Sequence, residues 1–256
     1  MRVPLPAAFL QAPLTHRAYH NRAAGRPENS RAAVQAAISA GYGIEIDLQL
    51  SKDGTAMVFH DEALGRLTSA TGPVKDRTAA ELAQIKLHGS DETVPTLAEI
   101  LALVAGQAPL LIEIKDQTDS MSETDGRLET ETAALLADYK GAVAVMSFNP
   151  HSVARMASLA PHLARGLTTS AYDPADWAPL AAEICDRLRP IPDYDRTLSS
   201  FISHEAADLN RPRVAELKLQ GAAILCWTIR SPAAEAKARK IAQNVTFETY
   251  PAALTT

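Results

Sequence analysis

The chain has 256 residues, of which 46% are hydrophobic and 21% charged, a length and composition suited to one large α/β core. With 30 acidic and 25 basic residues the formal charge is −5, so there is no basic field to grip phosphates along a polymer, and nucleic acid is excluded as an expected partner. Cys185 and Cys226 are the only cysteines and stand far apart beside apolar residues, giving neither a disulfide framework nor zinc-ligand spacing and fitting a reducing cytoplasm.

From Met1 to Pro13 the chain lacks the apolar core of a signal peptide, and no later run approaches the ~18 apolar residues of a membrane span. A soluble cytoplasmic protein is expected. The first strand is predicted over Leu14 to Ala18 and carries His16-Arg17. A polar loop with His20, Arg22 and Arg26 follows, its charges being possible substrate contacts. Pro27-Glu28-Asn29-Ser30 then reads as a helix start capped by Asn29 or Ser30. The second strand, Gly43 to Leu50, contains Glu45-Ile46-Asp47. After it, Ser51 to Thr55 forms a turn with an Asp-Gly signal, and Ala56 to His60 returns as the other arm of a hairpin. A turn centred between Asp53 and Gly54 sets Asp47 opposite His60. Residues 61–95 mix polarities and include Gly-Pro and Asp-Arg-Thr, the pattern of an irregular insertion with one short helix near Ala79 to Ile85.

Beyond the insertion, apolar runs and Ala-rich segments alternate. Strands are predicted over Pro109 to Lys115, Val143 to Phe148, Ala164 to Thr169, Ser199 to His204, Ala222 to Ile229 and Val245 to Glu248. Helices are predicted to start near Asn29, Thr96, Glu129, Pro150, Pro174, Pro212 and Pro232, several opened by Pro, Ser or Asn. Only eight residues follow Glu248, too few for a full closing helix. Eight strands with seven interleaved helices predict a TIM-type (β/α)8 barrel spanning 1–256 as a single domain.

Residues i and i+2 on a barrel strand share a face, so Glu45 and Asp47 point together, as do Glu113 and Lys115. Ile44, Ile46 and Leu48 then face the outer helices. Three carboxylates and a lysine aimed at one interior are costly unless a cation offsets them. All-oxygen ligands suit Mg²⁺ or Ca²⁺ rather than zinc. Glu113 with Lys115 also reads as a simple ion pair. His16 and His60 carry imidazole, a group that ordinarily titrates near neutral pH, so one ring can take a proton from a nucleophile while the other donates one to a leaving alkoxide, the chemistry a phosphodiester requires. Arg17, Lys115 and the cation would offset charge on the phosphate. Trp227 is a candidate for stacking on substrate, while His151, His204 and Glu248, at or near strand ends, are further candidates for the mouth.

In this order, His16-Arg17, Arg26-Pro27-Glu28-Asn29-Ser30, Glu45-Ile46-Asp47, Val58-Phe59-His60-Asp61, Pro95-Thr96-Leu97, Glu113-Ile114-Lys115, Ser147-Phe148-Asn149 and Trp227-Thr228 together resemble the glycerophosphodiester phosphodiesterases. The resemblance implies a barrel enzyme that splits small-molecule glycerophosphodiesters into glycerol 3-phosphate and an alcohol. It implies His16 and His60 as acid and base, Glu45, Asp47 and Glu113 as ligands of Mg²⁺ or Ca²⁺, and Arg17 and Lys115 as phosphate contacts. Two alternatives stand beside this reading: a lysophospholipase D or phospholipase-type enzyme on the same barrel, and a non-catalytic barrel that binds a phosphodiester. The chain departs from the family pattern where Ala18 replaces the usual Gly, where Arg230 replaces a common Asn, and where Phe247-Glu248-Thr249-Tyr250-Pro251 replaces Thr-Asp before proline.

Overall fold

The apolar runs become the strands of a closed barrel in the computed structural model, which describes residues 1–254. The ring consists of β1 (Leu14–Thr15), β2 (Gly43–Leu50), β4 (Leu110–Ile114), β5 (Val143–Ser147), β6 (Ala164–Thr169), β7 (Phe201–Glu205), β8 (Ala223–Ile229) and β9 (Asn244–Phe247). All neighbours in the ring are parallel, and β1 pairs with both β2 and β9 to close it. The remaining strand, β3 (Ala56–Val58), lies antiparallel on β2 outside the ring.

The hairpin register differs by one residue from the predicted one. Leu48 lies opposite Val58 and Leu50 opposite Ala56, and the Phe59 amide donates to the Asp47 carbonyl at 3.0 Å. Phe59, not His60, is therefore level with Asp47. The cause is the turn: Ser51 donates to the Thr55 carbonyl at 3.0 Å, and Gly54 takes a φ of +88°. Asp-Gly thus belongs to a three-residue loop closed by a left-handed glycine, rather than a two-residue loop.

Helices α1 (Arg31–Ala40), α2 (Ala79–Leu82), α3 (Leu97–Val104), α4 (Arg127–Leu136), α5 (Pro150–Leu159), α6 (Ala182–Leu188), α7 (Pro212–Leu219) and α8 (Pro232–Ala238) fill the intervals. Ser30, Thr96, Asn149 and Ser231 accept bonds from the first turns they cap, and Pro opens α5, α7 and α8, as the fixed φ and missing N–H of proline favour. The helix predicted near Pro174 instead begins at Ala182. Pro179 in that interval lacks a donor and disfavours helical backbone at Ala178, which delays the start. β1 is also shorter than predicted, because Arg17 and Ala18 turn the chain through left-handed backbone with φ of +52° and +63°.

Alternation sorts the core into two layers. Ile44, Ile46 and Leu48 pack outward against Ala33, Val34 and Ala37 of α1 and Ile100 of α3. Inside the barrel, at the end where its strands begin, Leu14, Leu111, Ala144, Phe201 and Leu225 meet Phe9. Each large apolar side chain fully removed from water contributes about 1.5–3 kcal/mol. Phe9 is delivered by the segment before β1, which Asn244 ties down by donating to the carbonyls of Phe9 and Ala12 at 2.6 and 2.7 Å. Gly166 makes room for the Phe201 ring, since a Cβ there would lie 2.4 Å from it. With one end of the interior filled by hydrocarbon, the charged inward residues sit at the other.

Residues 61–95 contain two 3-10 turns, Leu64–Arg66 and Val74–Asp76, and α2, shorter than the predicted 79–85. They enclose a small apolar cluster of Met57, Phe59, Leu64, Val74, Leu82, Leu87 and Val94. Cys185 and Cys226 are buried and free. Among the described residues, no helix is long and apolar enough to cross a membrane.

Candidate active site

At the end of the barrel where the strands finish, a cavity of about 150 Å³ is lined by His16, Arg17, Glu45, Asp47, His60, Glu113, Lys115 and Trp227 among others. The eight residues given acid–base, metal, phosphate or stacking roles from the sequence thus meet in one place. Glu45 and Asp47 come from β2 and Glu113 from β4, where Asp47 and Glu113 are register partners. Each of the three offers a carboxylate oxygen within 4.8 Å of the others, and all three are buried.

The electrostatics of this cluster are unequal. Burial raises the Glu45 carboxyl well above the ordinary range, and the nearby charges of Asp47 and Glu113 add to the effect. Burial opposes ionisation of Asp47 too, but His60, Lys115 and Arg17 overcome it and hold that carboxyl low. Lys115 Nζ lies 2.7 Å from Glu113 and 3.4 Å from Asp47. The lysine is kept charged despite burial by those two carboxylates. The ion pair read from Glu-Ile-Lys therefore exists, and it sits inside the cluster rather than on the surface.

The oxygens fit a hard divalent ion. Ligand distances of about 2.0–2.6 Å require oxygens sharing one ion to lie within roughly 4–5 Å of each other, and oxygen-only donors are the preference of Mg²⁺ and Ca²⁺. The raised Glu45 carboxyl is what such a cluster shows when acidic groups crowd together, and a cation there would favour its ionised form.

The turn after β1 contributes main-chain and side-chain donors. The Arg17 amide donates to Glu45 Oε2 at 2.8 Å and its guanidinium to Glu28 at 2.8 Å. Arg17 Nε is buried, has no hydrogen-bond partner, and lies 3.9 Å from Asp47. Asn29, with a φ of +57°, does not cap α1; its amide donates to Asp47 Oδ2 at 2.9 Å.

Each histidine has one nitrogen engaged by a carboxylate. His16 Nδ1 is 2.6 Å from Glu248 Oε2, and His60 Nδ1 is 2.7 Å from Asp61 Oδ1. Burial lowers the His16 pKa and Arg17 adds to the lowering, against the opposing pull of the Glu248 bond and of the Asp47 carboxylate. Arg66, from the insertion, donates to both Asp61 and Glu28 and so links the supports of His60 and Arg17. Trp227 Nε1 donates to the Ser203 carbonyl at 3.0 Å, and Phe148 meets its ring edge-on at 5.5 Å.

Several weaker candidates lie elsewhere. His204 is fully buried between Thr169 and Asp208, at 2.8 and 3.2 Å, and does not reach the mouth. His151 stands at the start of α5 and does not line this cavity. His20, Arg22 and Arg26 border a separate pocket with Tyr19 and Tyr250. Sequence reasoning passed over Asn29, Asp61 and Arg66 as parts of the site. The adjacency of Asp61 to His60 and the polar run before α1 were the available signals for the first two, whereas Arg66 offered none.

Residues 16–246 match the family model described as the glycerophosphoryl diester phosphodiesterase family. YhdW of Bacillus subtilis (strain 168) is 27% identical over 242 residues, covering 91% of this chain and 93% of that one. The glycerophosphodiester phosphodiesterase of Caldanaerobacter subterraneus subsp. tengcongensis is 34% identical over 150 residues, covering 55% of this chain and 60% of that one, less than two thirds of its own length. Among solved structures, an Oleispira antarctica phosphodiesterase in complex with the product sn-glycerol-3-phosphate superposes with a TM-score of 0.74 at 25% identity, covering 95% of this chain and 96% of that one. The barrel, the acidic mouth and these matches place the chain in the glycerophosphoryl diester phosphodiesterase family of phosphoric diester hydrolases.

Proposed function

We propose that this protein hydrolyses glycerophosphodiesters to sn-glycerol 3-phosphate and an alcohol, with a required Mg²⁺ or Ca²⁺ at Glu45, Asp47 and Glu113. The observation that carries the proposal is the meeting of two carboxylate-anchored imidazoles and three buried carboxylates on one small cavity. What a bound divalent cation supplies there is Lewis-acid stabilisation of charge on the phosphoryl oxygens.

The chain's own residues account for the remaining requirements. Arg17 and Lys115 bring positive charge to the cavity, where it offsets the charge of a bound phosphate. His16 has its Nδ1 engaged, leaving Nε2 free, and burial favours its neutral form. That form suits it to take a proton from attacking water, while His60 protonates the departing alkoxide. The Trp227 face, fixed by its bond to Ser203, offers an apolar wall to the substrate carbons.

The test is release of sn-glycerol 3-phosphate from a panel of diesters, each with Mg²⁺, Ca²⁺ or chelator. Turnover is expected with a divalent cation and lost under chelation. His16→Ala and His60→Ala are each expected to lose at least about a hundredfold in rate, the usual cost of removing a general acid or base. Undiminished turnover under chelator, or near wild-type turnover in both variants, overturns the proposal.

A further inference from the structure

Arg230 and Glu248, which both lie where the last strands depart from the family pattern, meet each other in space. Arg230 Nε donates to Glu248 Oε1 at 2.7 Å. The other oxygen, Oε2, lies 2.6 Å from His16 Nδ1 and 3.5 Å from His20 Nε2. We infer that Glu248, braced by Arg230, is the positioning residue for His16: it accepts the Nδ1 proton and so presents the Nε2 lone pair to the cavity. The inference rests on the reading of His16 as a proton-transfer group.

The backbone around Glu248 is pinned on both sides. The His16 amide donates to the Phe247 carbonyl at 2.9 Å, and the Glu248 amide donates to the Ile229 carbonyl at 2.9 Å. β1, β8 and β9 are thereby locked in register at the point where the carboxylate leaves the chain. Glu248 and His16 side chains are each 14% exposed, whereas Arg230 is 62% exposed. The bond between carboxylate and imidazole therefore lies where water competes poorly, and Arg230, which also lines the cavity, restrains the carboxylate's orientation. Glu248 itself does not line the catalytic cavity. Its influence runs through the imidazole, because the bond made by one ring nitrogen decides which nitrogen carries the proton. Once His16 has accepted a proton, the same carboxylate faces an imidazolium and stabilises it.

Glu248→Gln keeps the size of the side chain but removes the charge and lets the amide donate to Nδ1, which permits the unproductive tautomer. We expect kcat to fall about a hundredfold, the scale of a general-base loss, with KM moved less than about threefold. Arg230→Ala is expected to lower kcat by less than about tenfold, in keeping with its exposure. Nitrogen-15 NMR of the wild-type imidazoles gives a readout that requires no variant: His16 should carry its proton on Nδ1. In Glu248→Gln that preference should be lost. His16→Ala serves as the reference. If it is inactive while Glu248→Gln turns over like wild type, the positioning inference is overturned and the proton-transfer reading stands. If His16→Ala retains turnover, the reading fails and the inference with it. A wild-type His16 protonated on Nε2 alone overturns the inference directly.

Discussion

Asn29→Ala removes two side-chain contacts to Asp47: the 2.9 Å bond from Nδ2 to the carboxylate and the 3.3 Å bond accepted from the Asp47 amide. The residue is 1% exposed and Asp47 2%, so water does not replace what is lost. A hydrogen bond to a buried charge contributes about 1.5–3 kcal/mol. The position also has a φ of +57°, where asparagine is tolerated and alanine costs roughly 1 kcal/mol more. The sum is about 3 kcal/mol, a large part of the ~5–15 kcal/mol stability of a domain. Because Asn29 holds a carboxylate that would bind the cation, divalent-ion affinity should also fall by about 10- to 100-fold. Urea unfolding in chelator measures the first quantity and calorimetric titration with Mg²⁺ or Ca²⁺ the second. A change below about 0.5 kcal/mol, the ordinary range of an inconsequential substitution, together with unaltered affinity would show that Asn29 does not hold Asp47 in place.

Two further outcomes are expected. Lys115→Met takes the countercharge from Glu113 and Asp47, and leaving a buried charge unpaired costs about 3–5 kcal/mol. Thermal melts should show most of that loss in chelator and its recovery at saturating divalent cation, which on this proposal would bind the folded carboxylates preferentially; equal losses in both conditions would contradict it. Asp61 supplies the pH dependence. Burial pushes its carboxyl up, but the bonds from His60 and Arg66 more than reverse this and hold it low. A carboxyl depressed in the folded state contributes stability above its ordinary value, lost as pH falls. The stability gap between wild type and Asp61→Asn should therefore be widest near neutral pH and close progressively below about pH 4; a gap that widens in acid would show the sign to be wrong.

What was legible in the sequence followed from short-range periodicity. Glu45, Asp47 and Glu113 could be placed inside because Ile44, Ile46, Leu48 and Ile114 mark the outward face, and in the structure those apolar residues do pack outward. His60 was placed near the mouth although the hairpin register was off by one. The residue lies beyond the end of β3, where the pairing no longer dictates its direction, and it still lines the cavity. What remained hidden depended on chain crossings that no local pattern records. Arg66 is joined to Glu28 across 38 positions, and Glu248 to His16 across 232. Phe9 filling the base of the barrel was equally invisible, because the segment before Leu14 has no strand or helix period of its own. His204 sits at a strand end like the catalytic candidates, yet burial against Thr169 and Asp208 spends both its ring nitrogens inside the wall.

The most direct measurement is a crystal structure of the protein with Ca²⁺ and sn-glycerol 3-phosphate. One ion is expected about 2.3–2.6 Å from oxygens of Glu45, Asp47 and Glu113, with the product phosphate between His16 and His60 in contact with Arg17 and Lys115. An ion bound away from those three carboxylates, or a phosphate out of reach of both imidazoles, would contradict the proposed site.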